Sequence, residues 1–226
     1  VTGYEVNGVK VGAKIETDFY SGVSGVTGTA TLRLRQAYVT IAKGNSSWKI
    51  GQAWHPMAAD LPDIFSLESG APFGPFSRTP QVTGDFKLGE TASLTASAIW
   101  QMQYTSTGPD GASANYIKYS CTPELYLGIN FKGENTLTRL GVDMVSIKPR
   151  NYNHDLVTGK AISKVDDRLS TVNVFAYAQE TAGNWVIKEK VTYAQDGSHM
   201  NLVGGYGVSE INSDGSWEYT PTSNVS

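Results

Sequence analysis

The chain has 226 residues, a net charge of −3, 17% charged and 11% aromatic residues, 24 glycines and one cysteine. That length suits one all-β domain, the weak net charge leaves no polybasic footprint for nucleic acid, and a lone Cys121 forms no intrachain disulfide. No apolar run approaches the roughly 18 residues of a spanning helix, which says nothing against strands, since these cross a bilayer with alternating residues.

Val9 to Phe19 alternates: Val9, Val11, Ala13, Ile15 and Phe19 share one face, and Lys10, Lys14, Glu16 and Asp18 the other. Thr31 to Ala42 breaks its own rhythm. Leu32 and Leu34 oppose Arg33 and Arg35, yet Ala37, Val39 and Ile41 share parity with the arginines. A β-bulge near Gln36 puts both apolar sets on one face. The tight turn KGNS (Lys43 to Ser46) leads to a strand over Ser47 to Trp54. A long segment, His55 to Thr79, follows, with one helical turn expected over Pro62 to Glu68. Pro80 to Leu88, the turn LGET (Leu88 to Thr91) and Leu94 to Met102 form the next pair. After Thr105 to Asn115, Leu125 to Phe131 and Thr136 to Ile147 flank KGEN (Lys132 to Asn135). After Lys148 to Lys164, Leu169 to Gln179 and Trp185 to Tyr193 flank TAGN (Thr181 to Asn184), and Gln195 to Thr220 reads as a last long loop.

Nine strands thus alternate between tight glycine turns and long polar loops, the first of them at Ser21 to Ala30. Short connections at one end and long ones at the other are the layout of an antiparallel up-and-down transmembrane β-barrel. Trp48, Phe86, Phe131 and Trp185 lie beside the turns, and Phe19, Tyr20, Trp54, Tyr104 and Tyr193 near the long loops, as two interfacial bands. Alternation alone also allows a soluble, lectin-like sandwich whose apolar faces meet in a dry core. A barrel bearing adhesive or enzymatic loops is a third reading.

The stretch LRQAYVTIAKGNSSWKIGQAWHPM, with GAPFGPFSRTPQV after it, resembles a hairpin and loop of porin-like outer-membrane proteins of Gram-negative bacteria, in particular the Bacteroidota type. TSTGP at Thr105 to Pro109 and GGYGVS at Gly204 to Ser209 are also similar to that group. The resemblance implies a non-enzymatic barrel in the bacterial outer membrane that passes small polar solutes or ions passively. It implies no cofactor, with outer-membrane lipid as partner and a homotrimer by analogy. Carried over, residues 55–79 are the pore-constricting loop, with Asp60, Asp63 and Glu68 as its acidic lining and Arg78 at its exit. Lys14, Arg33, Arg35, Lys49 and Gln52 are then the polar pore wall. Opposed charges across such a constriction bias ion selectivity.

Residues 1–226 read as a single barrel domain. The odd strand number and the polar end at Ser226 point to a piece of a longer barrel, since open edges are not tolerated in lipid. No two of His55, His154 and His199 have metal-ligand spacing, so neither a zinc site nor a catalytic dyad is read from the sequence. GSHM at Gly197 to Met200 reads as a chance likeness to an expression tag.

Overall fold

The computed structural model describes residues 3–22, 27–60, 74–155 and 157–226. Their main element is one twelve-stranded antiparallel sheet. Its strands are β1 (Tyr4–Val6), β2 (Val9–Ser21), β3 (Thr31–Lys43), β4 (Ser46–Trp54), β5 (Arg78–Lys87) and β6 (Ala92–Ile99). They continue as β7 (Glu124–Lys132), β8 (Thr136–Ile147), β9 (Leu169–Ala182), β10 (Trp185–Gln195), β11 (Gly205–Ile211) and β12 (Trp217–Val225). Neighbours in sequence pair from β1 through β10, then β12 joins β10 and carries β11 outside it. The ends of this order are not paired with each other.

All nine expected strands are in the sheet, and three more join them. Asn7 and Gly8, both at positive φ, form a tight turn of the kind that matches strand twist, and it adds the short β1. The segment Gln195 to Thr220, expected as a loop, contains the β11–β12 hairpin. Only Tyr193, Ala194 and Gln195 of β10 pair with β12, so most of the hairpin extends past the long-loop end of the sheet. The Pro62 to Glu68 helical turn falls outside the described residues.

The β3 bulge is present. Glu16 faces Gln36 while Thr17 faces Leu34, so Arg35 is the extra residue. The shift keeps Leu32, Leu34, Val39 and Ile41 together on the exposed outer face. Arg33 and Arg35 turn to the other side, where both pair with Asp18.

Burial is inverted relative to a sandwich. Ile15 is 78% exposed, and Val11, Leu125, Leu127, Leu140, Val174, Ile187 and Val191 are also exposed. The opposite face buries Thr83, Thr95, Ser97, Asp143, Thr171 and Asn173. No second sheet of the described residues covers the apolar face, which removes the lectin-like sandwich.

At the tight-turn end, Trp48, Phe131 and Trp185 are exposed, and Phe86 stands edge-on to Trp48 at 5.5 Å. At the other end Phe19 and Tyr193 are exposed, but Trp54 and Tyr104 turn against Phe76, at 4.9 and 5.8 Å. The side chain of Tyr20 lies outside the described set.

The apolar cores lie among the loops. Met57 packs with Ile99, Tyr126, Phe175, Tyr177, Met200 and Leu202. A short helix α1 (Asn115–Ser120) contributes Tyr116 and Ile117 to a second cluster with Val145, Ile147, Leu169 and Tyr206. Arg150 donates to Gly215 O at 2.8 Å and stacks 4.1 Å over Trp217, which ties the hairpin turn to the neighbouring loop.

Gly51 shapes the exit of β4. Its φ is +130°, and a Cβ there would meet Ala37 O at 2.3 Å. Gly51→Ala is expected to lower stability by about 3 kcal/mol, read as an earlier midpoint in urea unfolding from detergent micelles.

Candidate functional site

The polar inner face holds two adjoining cavities, of about 890 and 440 Å³, which share Asp85, Thr95, Asn130 and Arg139. The larger opens among the tight turns, between Lys43–Ser47 and Lys87–Thr91. The smaller lies further up the wall and carries Lys14, Glu16, Lys49, Asp85 and Arg139.

The segment leaving β4 bounds the smaller cavity. Pro56 starts a 3₁₀ turn, Pro56–Ala58, capped by His55, whose Nδ1 accepts from Met57 N at 3.1 Å. Pro56 and Ala59 face the cavity, and Met57 is fully buried against strands on the far side. Asp60, at positive φ, reaches Arg139 of β8 at 2.9 Å. Lys190 of β10 donates to Met57 O and to Ala59 O. The start of the long segment therefore lies across the inner face and is held there by two cations, from β8 and β10, the two neighbours of β9.

The residues expected on the pore wall are mostly paired. Arg33 donates to both Asp18 oxygens, at 3.0 and 2.7 Å. Arg35 donates to Glu16 at 2.5 Å and to Asp18 at 2.8 Å, and Lys14 meets Glu16 at 2.7 Å. Lys49 lies 5.5 Å from the Tyr38 ring centre. Gln52, also expected on the pore wall, binds backbone. Its register partners are Ala37 and Pro80, and its amide donates to Leu34 O and Arg35 O, both at 3.0 Å. It thereby replaces the ladder bonds that β3 loses where β4 departs.

Arg78 is fully buried, 5.0 Å from the Trp54 ring centre and 5.3 Å from that of Phe76. Its guanidinium has no hydrogen-bond partner among the described residues. Asp63 and Glu68 lie outside the described residues.

A group that sequence spacing passed over sits deep beside this loop. His55 Nε2 donates to Glu124 Oε1 at 2.5 Å and lies 3.8 Å from Asp143 Oδ1. His199 Nε2 lies 3.4 Å from Glu124 Oε1 and 3.8 Å from Asp143 Oδ2. Gln101 donates to Glu124 Oε2 and Asn173 to Asp143 Oδ2, both at 2.9 Å. All four titratable side chains are at most 1% exposed. His55 and His199 are far apart in sequence, so no spacing signals the pair, and the third histidine, His154, is exposed. GSHM is the 3₁₀ turn Gly197–Met200, which buries His199 and Met200.

Burial disfavours a charged His199, but the Glu124 and Asp143 carboxylates beside it outweigh that and hold its pKa well above the ordinary histidine value. Burial also pushes the Asp196 carboxyl up. The raised value of His199 means that its stabilisation is complete below the ordinary histidine range and fades as pH climbs through the raised value. His199→Ala leaves two buried carboxylates without that cation, and in EDTA-containing buffer it is expected to cost about 3 kcal/mol at neutral pH. Unfolding titrations across pH should show the gap from the wild type narrowing in alkali.

No protein-family model and no curated protein sequence matches the chain. Among solved structures, the outer membrane channel DcaP of Acinetobacter baumannii matches with TM-score 0.69 and 22% identity, over 98% of this chain and 57% of that one. The chain thus spans little more than half the length of that channel, and the likeness establishes the fold. The outer-membrane expressed OmpT of Vibrio cholerae aligns at 15% identity and TM-score 0.49, over 85% of this chain and 53% of that one.

Proposed function

We propose that this chain forms the wall and inserted loop of an outer-membrane channel for passive diffusion of small polar solutes or ions. The observation that carries the reading is the pairing of an exposed apolar belt with a charged inner face crossed by its own loop. In water such a belt is a large exposed apolar surface. In a bilayer it meets lipid, while the polar face lines a wet lumen. The shared fold with an outer membrane channel supports the same reading.

The mechanism needs no cofactor and no catalytic residue. Solute enters the lumen, meets the segment pinned by Asp60 and Arg139, and is sorted by size and by the charges of Lys14, Lys49, Asp85 and Arg139. Lys14, Arg33, Arg35 and Lys49 are assigned to the pore wall, and Asp60 to the constriction. The site of action is the outer membrane of a Gram-negative bacterium, with lipid around the belt and a homotrimer as the assembly.

Planar-bilayer recording tests this directly. The protein should insert from detergent and conduct. Arg139→Ala, by freeing Asp60 and the loop, should raise single-channel conductance. Replacing Lys14 and Lys49 by Glu should move the reversal potential in a salt gradient towards cation preference. A folded, inserted protein with no conductance, or a monomer stable in water without detergent, would overturn the proposal.

A further inference from the structure

We propose that Glu124, Asp143 and His199 are the ligands of a divalent metal ion of the zinc class, with His55 as the donor that orients Glu124. The three groups come from β7, β8 and the Gly197–Met200 turn, so one ion ties two wall strands to a loop. The site is independent of the channel reading, because it rests on buried geometry and not on conduction.

Two buried atoms point to a missing electrophile. Asp143 Oδ1 and His199 Nε2 have no hydrogen-bond partner among the described residues, although both side chains are essentially inaccessible. Leaving such atoms unpaired in a low-dielectric interior is costly. A divalent cation bound by neutral His199 satisfies both atoms and takes over from the His199 imidazolium the offset of the buried carboxylates.

The hydrogen bonds around the ligands set their roles. His199 Nδ1 donates to Asp196 O at 2.8 Å, the arrangement that leaves Nε2 as the ligating nitrogen and fixes the ring. That Nε2 stands 3.4 Å from Glu124 Oε1 and 3.8 Å from Asp143 Oδ2. Zinc bonds to nitrogen and oxygen in a tetrahedron place neighbouring ligand atoms about 3.3–3.5 Å apart. Small side-chain shifts therefore bring these three donors to tetrahedral spacing, with the fourth position of the ion left to a water molecule.

His55 takes a different part. Its Nδ1 accepts the Met57 N–H, so its proton is on Nε2, which donates to Glu124 Oε1 at 2.5 Å. That separation is too short for both atoms to bind one ion. His55, Gln101 and Asn173 instead hold the two carboxylates in place. Mixed imidazole and carboxylate donors suit zinc over calcium or magnesium, which take oxygen alone.

The test uses the intact protein, folded in detergent micelles and stripped with EDTA. Zinc titration by calorimetry should show one ion bound per chain, and cobalt substitution should give the strong visible absorption of a four-coordinate site. Glu124→Gln, Asp143→Asn and His199→Gln should each weaken zinc binding by about tenfold or more. His55→Gln should weaken it while keeping the stoichiometry, and His154→Gln should leave it unchanged. Heat-dependent gel migration shows which variants are folded; the cobalt spectrum of the wild type decides without any variant. No zinc uptake by the folded wild type overturns the proposal. So does uptake that survives the combined Glu124→Gln and Asp143→Asn change, or a cobalt spectrum of oxygen ligands only.

Discussion

The sheet is constrained by the side on which its apolar row must lie. A strand has two faces and period two, so a row of Val, Leu and Ile on one face forces Thr, Ser, Asn and Asp onto the other. Here the apolar row points outward, and the polar row is the one that becomes buried. The core cannot form between the strands and a second sheet. It forms where loops bring their own apolar residues inside, as Met57, Met200 and Leu202 do against Tyr126 and Phe175. Everything that fills or charges the interior follows from that inversion.

The inserted segment shows how the inversion is exploited. A chain entering a polar interior needs partners for its backbone and for any charge it brings. Lys190 receives the carbonyls of Met57 and Ala59, and Arg139 receives Asp60. The Asp60–Arg139 side chains are about a quarter to a third exposed, so the pair contributes about 1 kcal/mol or less by itself. Its value is geometric: it fixes where the loop crosses. The buried group around Glu124 belongs to the opposite regime. There, desolvation of two carboxylates is the large term, and a neighbouring cation decides whether the arrangement is tolerated.

The bulge in β3 is a local version of the same constraint. Without the extra Arg35, either Leu32 and Leu34 would point inward and the two arginines outward, or Val39 and Ile41 would point inward. With it, Arg33 and Arg35 meet Asp18 and Glu16 on the inner side, while Gln52 supplies donors to Leu34 O and Arg35 O. One inserted residue reconciles a sequence whose parity changes midway.

The sequence by itself determined the elements whose physics is local. Period-two alternation marks nine strands, glycine turns mark one rim, and the parity break around Gln36 marks the bulge. The length and proline content of residues 55–79 mark a long stiffened connection, visible without knowing what it touches, and of it the described residues 56–60 lie on the inner face. The three further strands escaped because β1 is only three residues long and the β11–β12 hairpin lies in a glycine-rich, polar stretch with weak alternation. Only the tertiary structure decided the roles that depend on pairing between distant segments. It bound the Gln52 amide to the β3 backbone, turned Trp54 and Tyr104 onto Phe76, and joined Asp60 to Arg139. It also assembled His55, Glu124, Asp143 and His199, whose positions in the chain share no local spacing. Their proximity arises from the strand order and from loops folding back across it, and no short-range pattern encodes that.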